Sequence, residues 1–277
     1  METGKPRISK IKNRQYILSP IVERGIDREC VRSDFIDKSN NDQPVNLGSF
    51  GKVLQVLHRT TKTYYYIKVI HKKRLTDAGI PVENINLILS NMYKIKHKNI
   101  LTIVNHFEDE DNLYLIFPIL EFTSLYKLIE GKAISEEKAL CYMKQIIQTV
   151  DYLHSIGIIC RELKPENILV EKDYVFITDY GWSILNHKGD IRRTTAGKSL
   201  YISPEVINRD KIGYKTDIWH IGLILFEILT SSYPFYSKND EELKNAILSL
   251  HIIWPEDMNI VYKHINIMLK ILEQLFW

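Results

Sequence analysis

The most informative segment of this chain reads Ile158-Ile-Cys-Arg-Glu-Leu-Lys-Pro-Glu-Asn-Ile-Leu-Val170 and continues as Ile177-Thr-Asp-Tyr-Gly-Trp-Ser183. Its apolar parts, 168–170 and 175–178, have the length of short strands. The loops around these parts hold carboxylates, an amide and a lysine. Phosphoryl transfer uses these groups, because a carboxylate receives the hydroxyl proton, an amide and a second carboxylate hold Mg²⁺, and a lysine lies near the transferred phosphate.

The order and spacing of these groups resemble the catalytic and activation loops of eukaryotic protein kinases. The run Leu163-Lys-Pro-Glu-Asn167 resembles the serine/threonine branch of that family. The tripeptide Gly181-Trp-Ser183, followed by Arg192-Arg-Thr-Thr195, most resembles the Aurora kinases.

The resemblance implies an α+β fold of two lobes, a small β-rich N-lobe and a larger, mostly helical C-lobe. Residues 1–34 are expected to form a basic tail, with a solvated extension preferred over a docking arm. The kinase domain is expected over 35–277, with the N-lobe at 35–118 and the C-lobe at 119–277.

The composition excludes several classes of protein. Hydrophobic residues make up 45% of the 277 residues, so the chain can build a full core. The net charge of +3 favours neither a nucleic-acid partner nor an acidic surface. No apolar signal core stands at the start, and the apolar segment Ile218–Leu229 is too short to cross a bilayer. The three cysteines lack metal-like spacing, which fits a reducing compartment. We expect a cytoplasmic or nuclear protein without a membrane or nucleic-acid partner, and the resemblance to Auroras adds chromosomes or the spindle.

A glycine-containing hairpin is predicted at Val45–Val53, where Gly48 and Gly51 let the backbone approach phosphates. Such a pattern is weak alone, since many hairpins carry it. By resemblance, the ATP-binding residues here are Leu47, Gly48, Gly51 and Val53.

Lys68 lies fifteen residues after Val53, on a predicted strand over Tyr64–Ile70. In the kinase family a lysine at this spacing binds the α- and β-phosphates of ATP. The alternative is a strand lysine that faces solvent. Lys68 is the charged interruption of an apolar run, and the other motifs surround it in order, so the phosphate role is preferred.

The connection between the lobes is predicted at Phe117-Pro-Ile-Leu120. The resemblance makes Phe117 the residue behind the adenine pocket. Pro118 lacks an N–H, but its carbonyl can accept a bond from the adenine amino group, and Leu120 would supply the adenine-facing N–H.

A helix is predicted over Val82–Lys94 from its apolar periodicity. Kinases carry on this helix a glutamate that pairs with the strand lysine, but this chain has Ile88, or Leu87, at that position. Lys68 is therefore left without an obvious anchor. Auroras use an activating protein that docks on the small lobe, and the missing carboxylate increases the need for such a partner.

The catalytic roles follow from the resemblance. Asn167 and Asp179 would coordinate Mg²⁺, which prefers oxygen ligands. Lys164 would balance charge on the γ-phosphate, and Glu166 would contact an arginine upstream of the phosphorylated residue. Glu162 holds the position of the general base, where the family has aspartate. The two acids have similar pKa values, but the longer side chain displaces the oxygens by roughly 1 Å, which predicts a slow enzyme.

Two further departures concern ATP and the C-lobe. Tyr66 replaces the small residue that covers adenine in the family, so its phenol should crowd the base unless the side chain turns away. Glu205 normally pairs with a late arginine, yet Arg209 is the last arginine of the chain. Glu205 is therefore expected to find a lysine, water or solvent.

A regulatory switch is predicted at Thr195, which matches the regulatory threonine of Auroras. A phosphate there would add nearly two negative charges, and Arg161 is the expected partner. The alternative is a mobile basic loop whose threonine is unmodified.

The preferred function is an Aurora-like serine/threonine kinase that transfers the γ-phosphate of Mg-ATP to proteins with basic residues near the acceptor. The close alternative is a pseudokinase, which keeps the fold and acts as a docking scaffold. Tyr66, Glu162 and the missing helix carboxylate favour this alternative. A small-molecule kinase is disfavoured by the Lys-Pro-Glu and Arg-Arg-Thr-Thr segments.

Overall fold

The small lobe is built on an antiparallel sheet. The computed structural model describes residues 30–39, 51–77, 80–119, 121–180 and 200–254. Within these residues the sheet has five strands in the order β1-β2-β3-β5-β4. The strands are β1 (Phe35–Asp37), β2 (Gly51–His58), β3 (Tyr64–His71), β4 (Asn105–Glu108) and β5 (Asn112–Pro118).

The two faces of this sheet belong to different cores, because side chains alternate along a strand. On β3, Tyr65 and Ile67 pack with the outer cluster around Phe35. Tyr66 and Ile70 point the other way, into the main core that continues into the large lobe. Lys68 shares their parity and is buried on the side of the large lobe. The strand thus presents its lysine to the space between the lobes.

Residues before β1 already contact the small lobe. Cys30 is 6% exposed and belongs to the outer cluster, and the Asn105 side-chain amide lies 3.8 Å from its sulfur. The boundary at residue 35 stays a prediction, but Cys30 before it packs against the sheet, and the Arg59 N–H donates to the Asp34 carbonyl.

Two helices connect β3 to β4. Helix α1 spans Lys72–Asp77, and α2 spans Ile85–Lys94 after a 3-10 turn at Val82–Asn84. The apolar residues predicted to form one face of α2 are all buried, namely Ile85, Ile88, Leu89 and Met92. Their spacing explains the burial, since positions separated by three or four residues share one side of a helix.

The large lobe surrounds a small sheet of strands β6 (Thr123–Ser124), β7 (Ile168–Glu171) and β8 (Tyr174–Ile177). Its helices are α3 (Leu125–Ile129), α4 (Glu136–Ser155), α5 (Pro204–Ile207), α6 (Tyr214–Thr230) and α7 (Asp240–Leu248). Both strands predicted from the opening segment, β7 and β8, are present. The apolar segment 259–276, whose sequence predicts a last helix, lies outside the described residues.

Helix α6 is apolar on nearly all sides and is buried. It begins at Tyr214, because Gly213 has an extended conformation and the Thr216 N–H donates to its carbonyl. Helix α4 follows Ser135, whose side chain makes no capping hydrogen bond.

The lobes are joined through the segment after α2. The Leu101 N–H donates to the carbonyl of Ile177, and the Ile177 N–H donates to the carbonyl of Asn99. The end of β8 is thereby fixed against the small lobe, and the residues that follow β8 come to lie beneath β3. None of the helices in the described segments has both the length and the apolarity needed to span a membrane.

Candidate active site

Strand pairing places Lys68 at the centre of the small-lobe sheet. Its backbone is opposite Val53 on β2 and Leu115 on β5. The open end of the β2–β3 pair requires Gly51, since a Cβ there would meet the Val69 carbonyl oxygen at 2.0 Å. Flanked on both sides, Lys68 cannot reach solvent, and its side chain is 1% exposed.

The Lys68 ammonium forms an ion pair with the Asp179 carboxylate, which is 4% exposed. Asp179 follows β8 and has a φ of 63°, a left-handed conformation that is uncommon for a residue with a Cβ. The sequence left Lys68 without an anchor, and this expectation was wrong. The anchor comes from the other lobe. Helix α2 supplies none, since Ile88 is fully buried in the core and Leu87 is 51% exposed.

Asn167 precedes β7 and is hydrogen-bonded through its backbone to Thr178, the residue before Asp179, because β7 and β8 are paired. The N–H and the hydroxyl of Thr178 both donate to the Asn167 carbonyl, at 2.9 and 3.0 Å. The Asn167 side chain is fully buried, and its Nδ2 donates to the Glu162 carbonyl at 2.9 Å. Its Oδ1 is buried without a hydrogen-bond partner.

The unpartnered buried oxygen of Asn167, together with the carboxylate of Asp179, fits a hard divalent cation. The described residues contain no group of three or more His, Cys, Asp or Glu side chains that would form a complete metal cage. Mg²⁺ does not need one, since it is commonly held by one or two protein oxygens together with water and substrate phosphates. Asn167 and Asp179 fit such a partial site.

The loop from Cys160 to Asn167 is fixed by one buried carboxylate. Asp217 accepts hydrogen bonds at 2.8 Å from the backbone N–H groups of Cys160 and Arg161, and His154 Nε2 lies 2.7 Å from its Oδ2. Arg161 has a φ of 64°, so the chain turns sharply at this point. Asp217 thus ties the backbone of this loop to helix α6. Burial with this carboxylate nearby raises the pKa of the Cys160 thiol well above its usual value.

Glu162 and Lys164 lie on the turn that Asp217 fixes. Glu162 is half-buried, its N–H donates to the Cys160 carbonyl, and its own carbonyl accepts from Asn167. Burial lowers the pKa of His220, and nearby acidic groups, Glu162 among them, oppose this shift. Lys164 is half-buried in extended conformation before the turn Pro165–Asn167. The loop thus gathers both groups near Asn167.

A second acidic group lies on the other side of this loop. Glu166 is half-buried with one carboxylate oxygen, Oε2, lacking a hydrogen-bond partner. Glu227 of α6 is 5% exposed and accepts a hydrogen bond from the Tyr201 hydroxyl. Burial raises the pKa of Glu227 to about 7, opposed by hydrogen bonds from Tyr201 and Tyr233, and the nearby Glu166 raises it further.

Sequence reasoning missed Glu227, Tyr201 and Tyr233. The available signal was Glu227 itself, a charged residue inside the otherwise apolar segment Ile218–Leu229. A charge in a buried helix must have polar partners. Only the three-dimensional arrangement identifies these partners as two tyrosines and the catalytic-loop residue Glu166.

The end of the cleft near Pro118 is filled by aromatic rings. Tyr66 is 9% exposed, and its ring centroid is 5.3 Å from that of Phe122, at an angle of 51°. The phenol does not turn away from the space between the lobes. Pro118 ends β5 and is half-buried, and Phe117 is opposite Tyr66 on that strand.

A family model described as the protein kinase domain matches residues 40–275. The chain belongs to the protein kinase family. An Aurora kinase of Eremothecium gossypii is 30% identical over 220 residues, which cover 79% of this kinase and 60% of that protein. A probable myosin light chain kinase of Dictyostelium discoideum is 32% identical over 218 residues, covering 76% of this kinase and 55% of that protein.

CBL-interacting protein kinase 26 of Oryza sativa subsp. japonica is 32% identical over 248 residues, covering 87% of this kinase and 50% of that protein. This kinase therefore spans between half and 60% of the length of these three relatives. The recognition as a eukaryotic serine/threonine kinase with Aurora-like sequence is confirmed, and so is the two-lobed fold.

The structure also identifies a hydrogen-bond partner for Glu205, which the sequence had left without its late arginine. Its carboxylate accepts a hydrogen bond from the Thr216 hydroxyl at the start of α6. Neither lysine nor solvent is needed as a partner for that oxygen. The carboxylate is half-buried, so a neutral hydroxyl is sufficient where a buried charge would need a cation.

Four predicted site residues lie outside the described residues: Leu47, Gly48, Leu120 and Thr195. The structure brings the others together in two groups. Val53, Lys68, Asn167 and Asp179 lie around the cleft between the lobes, and the turn with Glu162, Lys164 and Glu166 borders it. Arg161 is at the sharp bend that Asp217 fixes.

Proposed function

We propose that this kinase domain is an active, Aurora-like serine/threonine kinase that transfers the γ-phosphate of Mg-ATP to protein hydroxyls. The observation that carries the proposal is the set of buried polar groups at the cleft, the Lys68–Asp179 ion pair and the unpartnered Oδ1 of Asn167, whose backbone is hydrogen-bonded to the residue before Asp179. Lys68 and Asp179 pair with each other, but a buried amide oxygen without a partner is costly unless it serves a ligand. A triphosphate with a divalent cation matches both the positive and the oxygen-bearing groups.

In this proposal the magnesium site is formed by Asn167 Oδ1 and the Asp179 carboxylate. Bound Mg²⁺ neutralises charge on the phosphates and orients them for transfer. Lys68 lies within contact of Asp179, so the same ammonium can bind phosphate oxygens while staying next to the metal ligand. Val53 and Gly51 of the hairpin, with Leu47 and Gly48, would cover the nucleotide.

The loop from Cys160 to Asn167 carries the groups that act on the acceptor hydroxyl. Glu162 receives the proton, and Lys164 balances the charge of the phosphate in transit. Backbone N–H groups of this turn donate to Asp217, and Asn167 donates to its Glu162 carbonyl, so the groups of the turn stay in place during the reaction. Positioning contributes more than base strength in phosphoryl transfer, which permits glutamate at this position.

The protein substrates are those with arginine or lysine near the acceptor residue. Glu166 supports this assignment, because its buried Oε2 lacks a partner and lies close to Glu227. Two carboxylates held together repel each other unless a cation lies between them. An arginine side chain fits, since its planar guanidinium can bond to both acids and to the surrounding tyrosine oxygens.

Regulation and location follow the Aurora resemblance. A phosphate on Thr195 would pair with Arg161 and order the segment before the turn. An activating protein would bind the small lobe at α2, whose residue Leu87 is 51% exposed and whose preceding turn exposes Val82. The resemblance to Aurora kinases implies a role in cell division, in the cytoplasm or nucleus and near chromosomes or the spindle, and two relatives similar to this chain are named Aurora kinase.

The second candidate is a pseudokinase that acts as a docking scaffold. The observation that favours it is the contact between Tyr66 and Phe122, together with the absence of a carboxylate on the buried face of α2. A protein of this kind keeps the fold without transferring phosphate.

A peptide series separates the two candidates. Purified protein is incubated with Mg-ATP labelled at the γ-phosphate and with peptides that carry serine, threonine or tyrosine after two arginines or after two alanines. We expect label on the serine and threonine peptides with arginines, and at least about tenfold less on the alanine peptides. Label on no peptide, with Mg-ATP binding retained, would support the scaffold and overturn the enzyme.

A further inference from the structure

Tyr66 lies on the same face of β3 as Lys68. The two are separated by one residue, so their side chains point in the same direction and are about 7 Å apart along the strand. Burial confirms this, since Tyr66 and Ile70 belong to the main core and Tyr65 and Ile67 to the outer one. A ligand that contacts Lys68 therefore has Tyr66 as its neighbour along β3.

A nucleotide with phosphates at Lys68 has two directions open to it along this face. Toward Ile70 it meets a fully buried side chain between paired residues Gly51 and Leu113. Toward Tyr66 it approaches the point where the chain crosses between the lobes, and Ile119 there is 38% exposed. The base end of the nucleotide thus lies at Tyr66.

Side chains already fill the end of the cleft where the base would lie. The Tyr66 ring contacts Phe122, which follows the crossing, and Phe117 is opposite Tyr66 on β5 at 5% exposure. Val53, on the neighbouring strand, is 8% exposed and packs in the same cluster. One ring from each side of the crossing thus meets where a purine would insert.

Packing alone holds the Tyr66 ring. Its hydroxyl makes no hydrogen bond within the residues that the structure describes, and burial raises the pKa of this phenol. In contrast, the phosphate end has a buried ion pair and the unpartnered Asn167 oxygen. The cleft is polar and available at one end, and apolar and closed at the other.

We propose that Tyr66 and Phe122 close the base end of the cleft, so that nucleotides bind by their phosphates with little preference for the base. This inference rests on the proposed function, because it assumes that phosphates bind at Lys68 and Asn167. The ligand class is a magnesium-bound polyphosphate. ATP, GTP and inorganic tripolyphosphate share the groups that the site contacts, and the purine of ATP gains little from a filled pocket.

Calorimetric titration of the full chain with the magnesium complexes of ATP, GTP and tripolyphosphate tests this directly. For the wild type we expect three dissociation constants within about threefold of one another. Tyr66→Ala should tighten ATP binding by at least about tenfold while leaving tripolyphosphate within about twofold, since only ATP has a base to place in the opened space. Tyr65→Ala, which removes a ring from the opposite face of β3, serves as the control and should leave the ratios unchanged.

The outcomes separate the two proposals. Binding of ATP by the wild type at least tenfold tighter than GTP and tripolyphosphate would overturn the closed pocket and leave the kinase function standing. The same holds if Tyr66→Ala fails to tighten ATP binding. Absence of binding for all three ligands, in wild type and variant, would instead remove the phosphate site on which both rest. The wild-type comparison needs no variant, so a Tyr66→Ala protein that fails to fold does not block the test.

Discussion

Lys68 of the small lobe and Asp179 of the large lobe form a buried ion pair, with side chains 1% and 4% exposed. This pair joins the two lobes at the point where phosphate and metal are proposed to bind. It also takes the place of the carboxylate that α2 lacks. The lysine is thus positioned without any acid on α2, by a residue that is itself part of the proposed metal site.

Replacing Lys68 with methionine should destabilise the fold and remove nucleotide binding. A buried carboxylate that loses its cation costs about 3 kcal/mol of unfolding free energy. Urea denaturation measures this loss. Lys72→Met is the matched control, because Lys72 pairs with Glu108 at 3.0 Å on the surface, where a lost ion pair costs less than about 1 kcal/mol. Equal losses of unfolding free energy in the two variants would contradict the larger contribution assigned to the buried Lys68–Asp179 pair.

Asn167 and Asn99 provide a matched test of the magnesium site. Both are fully buried, and both have an unpartnered Oδ1. The Asn99 side-chain amide, however, donates to Gln145 Oε1 of α4 and to the Val175 carbonyl of β8. We expect Asn167→Ala to abolish the thermal shift produced by Mg-ATP, about 2.7 kcal/mol of stabilisation at one hundred times the dissociation constant. Asn99→Ala should lower stability but keep the shift. A full magnesium-dependent shift in Asn167→Ala would contradict the assigned ligand.

Glu162→Asp should raise the turnover number by about tenfold, since an error near 1 Å in the position of a catalytic group can cost a hundredfold. The turn around Glu162 is fixed by Asp217 and Asn167, so the backbone cannot retreat to compensate for the longer side chain. The measurement is steady-state phosphorylation of an arginine-containing peptide. An unchanged or lower rate, with unchanged ATP binding, would exclude misplacement as the limit.

Glu227 should make stability depend on pH. Burial raises its folded pKa to about 7, above its ordinary value of 4.5, with Glu166 adding repulsion and the Tyr201 and Tyr233 hydroxyls opposing it. The folded protein therefore binds more protons between these two values, and the free energy of unfolding falls as pH rises through that interval, then levels off.

Glu227→Gln removes this dependence. We expect the variant to gain stability relative to the wild type as pH increases from about 5 to about 8, measured by urea denaturation at each pH. The charged carboxylate that appears above pH 7 should also lower the KM for arginine-containing peptides in the wild type alone. Parallel stability curves for the two proteins would place the Glu227 pKa near its ordinary value.

Most of the site could be predicted from sequence because its groups lie in short loops with fixed spacing. Asn167 and Asp179 are linked by two paired strands, so their proximity is determined locally, and the spacing from Val53 to Lys68 is that of one hairpin. Helix α2 was predicted from its apolar face for the same reason. These features depend on periodicity and turns, which sequence carries directly.

The remaining features depend on contacts between distant segments. The pairing of Lys68 with Asp179 joins residues that are 111 positions apart. Thr216 as the partner of Glu205, and the tyrosines around Glu227, likewise arise when helix α6 packs beneath the catalytic turn. The sequence identified Tyr66 as an obstacle, but the direction of its ring depended on Phe122 beyond the crossing.

The most direct measurement is a crystal structure of this chain with Mg²⁺ and a non-hydrolysable ATP analogue. We expect a metal ion bound by Asn167 Oδ1 and an Asp179 oxygen, with the Lys68 ammonium on the phosphates. An undisturbed Lys68–Asp179 pair, with Tyr66 against Phe122 and neither metal nor nucleotide in the cleft, would contradict the proposed phosphotransferase.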